Sequence, residues 1–470
     1  MKKKIFILFS GLSFFILNSQ SLDIHFNPFI ASENIEPIWV GSIKQQNDGK
    51  ILVGGYYGGT FCIARLNSNG TKDSTFVTPI YGGGISDIAI QSDGKILVVG
   101  SFWMSGNTGQ NICRLNTDGT VDTSFNTGRG TDISIKKVLI QPDGKIIICG
   151  GFLNYDNKEH HKIARLNSDG SLDESFNANG FISSESIVND ILLLENGQIL
   201  AAATIFGGDA SNGVVRINTD GTKDYSFKTD ILNMNPGMVV NSIALQNDGK
   251  ILMAGIFRFN SEDFNQPNKY LARLERNGEL DSSFLILDRD RVEHETGSFL
   301  KKVLVKQDGS IFIAGEISFI DGHSRHYLAK LEDNGKVDLN FETGAGSDDV
   351  INTIELQKDS KILVGGEFLT YNNIQRRGIA RIFDDKILSV NNSILPKYNV
   401  FPNPATDFIN VDGETEIKII RLVNMDGKVI FQKKISSKNY TLNTSDLPTG
   451  AYMMQIISNV GVANQKFIKQ

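Results

Sequence analysis

The stretch Asn47 to Gly55, NDGKILVGG, sets glycines beside a lysine, the composition of a loop that cradles phosphate. His323 and His326 flank Ser324-Arg325, and two imidazoles at that spacing hold zinc when further ligands converge. Asp321 is close in sequence, but no third ligand stands at motif spacing, and His160-His161 is a second pair with the same shortfall. DRDRVEHE, Asp288 to Glu295, gathers acids as a calcium loop does. It lacks the D-x-D-x-D-G spacing and carries two arginines that oppose a cation. Cys62, Cys113 and Cys149 each sit in an apolar run (FCIARL, NICRLN, IIICGG) and read as buried, inert thiols. There is no G-x-S-x-G nucleophile turn, no H-E-x-x-H helix and no S-x-D-x-G-x-x-W box. The residues therefore name no catalytic, metal or cofactor site.

The glycine-lysine segment is explained by the elements around it. It returns as SDGKILVVG from Ser92, PDGKIIICG from Pro142, ENGQILAAA from Glu195, NDGKILMAG from Asn247, QDGSIFIAG from Gln307 and KDSKILVGG from Lys358. Seven copies, spaced 45 to 60 residues apart, are too many for a phosphate loop and have the period of stacked propeller blades. In the second copy ISDIAIQ alternates apolar and polar residues, Asp93-Gly94 turns the chain, and ILVVGSF runs back. A variable loop leads to NICRLN, and Asp118-Gly119 turns into VDTSFN, so each unit reads as four antiparallel strands. The glycine pair then marks close backbone packing, and the lysine a solvated strand-end charge.

The fourth strand carries Asp-x-x-Phe, also seven times: Asp23/Phe26, Asp73/Phe76, Asp122/Phe125, Asp173/Phe176, Asp224/Phe227, Asp281/Phe284 and Asp338/Phe341. The first precedes every DGK segment and the last DGK segment has none after it, an offset that calls for the N-terminal segment to complete the final blade. A basic residue stands eight positions before each internal Asp, from Arg65/Asp73 to Lys330/Asp338. A catalytic dyad is built once, so six copies predict a structural ion pair. A closed ring further places Arg381 near Asp23.

These motifs, LDxSFN, IxLQxDGKILVGGxF and IARLNxDG, resemble the family of delta-60 repeats over residues 21–385. The resemblance implies an extracellular propeller-like architecture and carries no settled activity. The expected fold class is all-β, a seven-bladed β-propeller followed by a small C-terminal β-sandwich.

The ends of the chain give an address. Lys2 to Lys4 and the apolar run Ile5 to Leu17 form a secretory signal peptide within residues 1–20, too short for an ordinary spanning helix. After a connector at 386–398, residues 399–470 show short alternating segments separated by Asn-Pro, Asp-Gly and Pro-Thr-Gly turns. This segment resembles the type A C-terminal sorting domain of the type IX secretion system. The matching positions are Pro402, Asn403 and Pro404, then Asp426, Gly427 and Lys428, then Leu447, Pro448, Gly450 and Tyr452, with a basic tail at Lys466 and Lys469. The resemblance implies the Sec machinery and the outer-membrane type IX translocon as partners, and a secreted or cell-surface location reached through the periplasm of a Gram-negative cell.

With 47 Lys+Arg against 53 Asp+Glu, no electrostatic basis exists for nucleic acid or anionic lipid as a partner. The 46 Gly and 10 Pro fit a folded chain with many tight turns. The connections opposite the DG turns vary most, and function rides on such loops. The longest are 258–269 and 285–298. The candidate binding face for a glycan or surface protein is accordingly Trp103, Tyr155, Phe264, Arg289, Glu293, His323 and Tyr371. A surface binding or scaffold protein is the first expectation; a polysaccharide hydrolase or lyase and a purely structural matrix component are the alternatives.

Overall fold

A computed structural model of the chain describes residues 22–28, 39–56, 63–104, 110–179, 184, 186–204, 213–229, 239–259, 267–293, 299–384, 398–424, 429–458 and 461–470. The leader at 1–20, Cys62, Phe264, Asp426, Gly427 and Lys428 lie outside them. All regular elements among the described residues are strands, and the chain divides into two compact units, Met1–Lys386 and Ile387–Gln470. No helix among those residues is long and apolar enough to cross a membrane.

In the first unit each repeat supplies three antiparallel strands, and the sheets of blades 4 and 5 are joined by the pairing of Thr204 with Val239. Blade 1 consists of Trp39–Gln45, Ile51–Tyr56 and Ile63–Leu66. The sheets of blades 2 to 7 begin at Ile80, Ile135, Ile187, Val239, Phe299 and Ile351. The middle strand, the ILVGG run, is apolar throughout because both of its faces meet neighbouring sheets. The core is thus a set of layers between blades. Leu52 and Ile63 of blade 1 pack with Ile88 and Val98 of blade 2, and Val40 and Ile43 of blade 1 pack with Leu363 and Ile379 of blade 7. The second contact closes the ring.

The expected fourth strand is cut to a single bridge. Lys72 pairs with Leu66, and the same bridge recurs at Val121, Leu172, Lys223, Leu280 and Val337. Directly afterwards Asp-x-x-Phe is a turn, not a strand, because Asp73 Oδ1 accepts from both Thr75 N at 3.0 Å and Thr75 Oγ1 at 2.6 Å. The next N–H, that of Val77, then bonds the Asp118 carbonyl in the following blade at 3.2 Å. The fourth-to-first connection consequently starts at the DG-turn end and crosses the blade, instead of lying wholly at the opposite end as expected.

The glycines act where the first strand bulges. All seven first strands share one equivalent register shift, Val40/Ser42 in blade 1 and Ile85/Asp87 in blade 2, and blade 2 has a second at Tyr81/Gly84. A Cβ on Gly55 would stand 2.1 Å from the Trp39 carbonyl oxygen, and one on Gly100 the same distance from that of Gly84. Six blades keep glycine at this position, where a side chain would meet that carbonyl, and blade 4 has the smallest side chain there, Ala203 opposite Val188.

Ring closure follows the expected route: Leu22 bridges Ile382, and Asp23 N donates to the Arg381 carbonyl at 2.8 Å.

The second unit is one five-stranded sheet, Tyr398–Phe401, Phe408–Val423, Val429–Asn443, Gly450–Ser458 and Gly461–Lys469, curled around its own core. The long strand Phe408–Val423 pairs with Tyr398–Phe401 along its first half and with Gly450–Ser458 along its second, which is how one sheet supplies both layers. Asn403 spans to the last strand, its Nδ2 donating to the Lys466 carbonyl and its Oδ1 accepting from Ile468 N, both at 3.0 Å. Tyr452 stacks on Phe467 and donates its hydroxyl to the Pro448 carbonyl at 2.7 Å. Leu447 N bonds the Thr444 carbonyl at 3.0 Å, closing the turn that Pro448 and Gly450 follow.

Candidate functional site

The repeated basic and acidic pairs are a clamp between blades. Arg114 Nε donates to Asp122 Oδ2 at 2.7 Å, its guanidinium lies 4.6 Å over the Phe125 ring, and Nη1 reaches the Ser168 carbonyl of the next blade at 2.5 Å. Arg165, Arg273 and Arg381 repeat all three contacts, the last onto Asp23, Phe26 and the Ser68 carbonyl. Blade 6 has Lys330 instead, which with Lys306 holds Asp384 of blade 7. The DGK lysines belong to the same clamp, contrary to their reading as solvated charges: Lys50, Lys95, Lys145 and Lys250 pair with Asp73, Asp122, Asp173 and Asp281 at 2.7 to 2.8 Å. The turn after the curtailed fourth strand folds the carboxylate back beside the start of the middle strand. Sequence separation of 23 to 31 residues hides that contact.

A cluster that sequence reasoning missed lies where the first strands meet. The bulge turns Ser42, Asp87, Lys137, Asp190, Ser242 and Lys302 toward one another. Asp87 binds Ser42 Oγ, Val138 N and Lys137 Nζ, each at 3.2 Å. Asp190 binds Ser242 Oγ at 3.0 Å, Ile243 N at 3.1 Å and Lys302 Nζ at 3.6 Å. Burial opposes the charge on Lys137, yet Asp87 and Asp190 raise its pKa above the ordinary lysine value. For Asp190 burial is outweighed by Lys302 and Lys137, and its pKa falls. Every carboxylate oxygen here is engaged, so the cluster fastens the first strands to one another. Its signal was a charged residue at one register position of four of the seven first strands, those of blades 2, 3, 4 and 6.

The variable connections form the other candidate. Two adjoining cavities of about 340 and 380 Å³ lie between blades 2 and 3, sharing Gln110 and Asp132. Trp103 lines one of them and is 61% exposed. Its ring is seated on the Gly82 backbone, where a Cβ would come within 2.2 Å of Trp103 Cζ2. Exposed Ile133 lies in the same cavity, while Arg129, Asn154 and Asn157 line the other. Buried Asn111 fixes the wall by donating its Nδ2 to the Thr131 carbonyl at 3.0 Å. Asp132 is held by Leu153 N at 2.9 Å and Asn154 Nδ2 at 2.8 Å.

Tyr155, Arg289, His323 and Tyr371 are not among the residues that line this groove. Tyr155 and Tyr371 are each 1% exposed and belong to the inter-blade core, which removes them from the candidate face. Both lie on short hairpins, Asn154–Tyr155 with Lys158–Glu159 and Thr370–Tyr371 with Ile374–Gln375, and strand alternation turns them inward. Tyr155 donates its hydroxyl to the Gly170 carbonyl at 2.7 Å. The tips Asp156-Asn157 and Asn372-Asn373 have positive φ throughout, the conformation of a two-residue hairpin turn that the sequence advertised. Arg289 is exposed in the connection from blade 5 to blade 6, and His323 is exposed on the blade 6 hairpin. Glu293 ends the short strand Val292–Glu293, and its side chain lies outside the described set.

His326 Nε2 shares a hydrogen bond with Ser324 Oγ at 2.7 Å, and no carboxylate among the described residues is bonded to this imidazole to orient it. One acid of DRDRVEHE is spent, Asp288 pairing with Lys269 at 2.9 Å, and its Arg291 is held by Asp321 at 2.6 Å. Burial pushes the Cys113 and Cys149 thiols above the ordinary cysteine range, away from reactive thiolate.

Compared with known families, residues 46–76, 91–125, 141–176, 194–227, 246–284, 306–341 and 357–385 match the domain of unknown function (DUF5122) beta-propeller. Residues 399–470 match the secretion system C-terminal sorting domain. No curated protein matches the sequence. Among solved structures, the extracellular domain described as that of a one component system from B. thetaiotaomicron aligns over 96% of this chain and 58% of its own, at 12% identity and TM-score 0.52. PorZ, a surface component of the type-IX secretion system of Porphyromonas gingivalis, aligns over 91% of this chain and 59% of its own, at 12% identity and TM-score 0.43. A gluconolactonase from Xanthomonas campestris aligns over 76% and 96%, at 11% identity and TM-score 0.37. The chain spans under two thirds of the length of the first two, and at these identities the likeness concerns the fold alone.

Proposed function

The chain belongs to the DUF5122 beta-propeller family and ends in a type IX secretion sorting domain that directs it to the cell surface or the medium, and from that premise we propose that it is a binding protein whose groove beside Trp103 seats a glycan. The observation that carries the reading is the Trp103 ring, solvent-facing and supported on Gly82 at the edge of a polar groove. A sugar presents an apolar C–H face to such a ring and hydroxyls to side chains such as Gln110, Arg129 and Asn154. An indole fixed by backbone contact loses little freedom on binding, which favours its use as a ligand platform. A glycan array probed with the exported protein, run beside a polysaccharide turnover assay, tests this reading. Glycan capture without turnover supports it; turnover abolished by one loop carboxylate substitution replaces it with the hydrolase or lyase alternative. The scaffold alternative requires no glycan bound at all.

A further inference from the structure

The blade 6 hairpin, Phe319–Ile320 with His323–Ser324, and the blade 7 hairpin at Thr370–Gln375 border a cavity of about 470 Å³. Its lining includes Ser324, Arg325, Glu342, Thr343, Asn372 and Asn373. Arg325 is only 4% exposed, and Nη1 donates to the Ser324 carbonyl at 2.9 Å. Its Nε and Nη2 have no hydrogen-bond partner, nor has Oγ1 of Thr343, which is 2% exposed. Nε and Nη2 lie on one edge of the planar guanidinium, and their two N–H groups have the spacing and direction of the two oxygens of a carboxylate.

We propose that this cavity binds the carboxylate of an acidic saccharide, with the Nε/Nη2 edge of Arg325 as a bidentate donor and Thr343 Oγ1 as an additional one.

Burial lowers the pKa of Arg325, and Glu342, Asp338 and Asp321 act in the opposite direction, so the guanidinium keeps a charge that an added carboxylate completes. Glu342, exposed on the cavity wall, penalises a second negative charge on the group seated at Arg325 and so favours a singly charged carboxylate over a dianionic phosphate at that position. Hydroxyl and amide side chains dominate the remaining lining, which suits saccharide hydroxyls better than the side chains of a peptide. Asn372 is held in place by Gly346 N, which donates to its Oδ1 at 2.9 Å. Blade 7 repeats the device at Arg376, whose Nη1 binds the Gln375 carbonyl at 3.0 Å while Nε has no partner.

The inference rests on the glycan reading but uses a different site. The test titrates trigalacturonate, its carboxyl-reduced trisaccharide and a short peptide with a free C-terminal carboxylate into the full chain. Trigalacturonate is expected to bind, with affinity at least tenfold lower for Arg325→Gln and for the reduced trisaccharide, several-fold lower for Thr343→Val, and unchanged for Trp103→Ala. Should Arg325→Gln fail to fold, the Thr343→Val variant and the reduced trisaccharide still decide. Equal affinity for both trisaccharides, indifference to Thr343, no binding of trigalacturonate, or preference for the peptide would overturn the proposal. A neutral glycan held through Trp103 in the same experiment would leave the groove reading standing alone.

Discussion

Arg381 Nε donates to Asp23 Oδ2 at 2.9 Å, joining residues 358 positions apart. Both are buried, and the guanidinium also covers the Phe26 ring and reaches the Ser68 carbonyl of blade 1. Removing one member of a buried pair leaves the other uncompensated. Arg381→Ala should therefore lower unfolding free energy by about 3 kcal/mol, read by chemical denaturation. A loss under about 0.5 kcal/mol, the range of an ordinary surface change, would mean that the ring is not fastened here.

The clamp ranks two substitutions in one blade. Phe176 is fully buried, so Phe176→Ala should cost about 3 to 5 kcal/mol. Lys145 is partly exposed and only one of two cations on Asp173, since Arg165 remains at 2.6 Å. Its replacement by Ala should cost about 1 kcal/mol, more than an isolated surface lysine. Thermal melts of the two variants side by side check the order.

Acid should weaken the repeat as a unit. Hydrogen bonds from Lys50 and Thr75 hold Asp73 well below the usual carboxylate range. Burial pushes Asp122, Asp173 and Asp281 upward, but Lys95, Lys145 and Lys250, with neighbouring serines, bring them well below it too. A group with a depressed native pKa adds stability that is full above its unfolded-state value and is lost as pH falls toward the native one. With unfolded aspartate near about 4, Tm should begin to drop near that pH and keep dropping toward about 2, the value to which Asp308 is lowered. Lys145→Ala should shallow the decline. A Tm constant over that interval would contradict the clamp.

The axial cluster makes a contrast between single and paired changes. Asp190→Ala alone should destabilise by about 3 kcal/mol because Lys302 and Lys137 lose a buried counter-charge. Asp190→Leu combined with Lys302→Met should recover most of that loss, since apolar residues can replace a buried pair at little cost. A double variant no better than the single one would assign the cluster more than a fastening role. Denaturant titration of both proteins supplies the comparison.

What was legible in the sequence was whatever repeats at fixed spacing. The eight-residue interval from Arg65 to Asp73 and the offset of Asp23 from Arg381 were enough to predict the ion pairs and the closure of the ring. Lys50 with Asp73 was hidden because its separation varies from blade to blade, and the loss of the fourth strand was hidden because LDESF alternates like a strand until its serine caps the turn. The axial charges required knowledge of the bulge that aims them. Tyr155 and Tyr371 were misplaced because a hairpin inside a variable connection was read as loop, although Asp156-Asn157 and Asn372-Asn373 marked its turns.

The binding reading turns on Trp103. The direct measurement is calorimetric titration of the best array glycan into the exported protein and into Trp103→Ala, with melting curves recorded for both. The expected result is a loss of affinity of tenfold or more, with Tm unchanged because the ring lies outside the inter-blade layers. Equal affinity for the two proteins would contradict a glycan seat at Trp103.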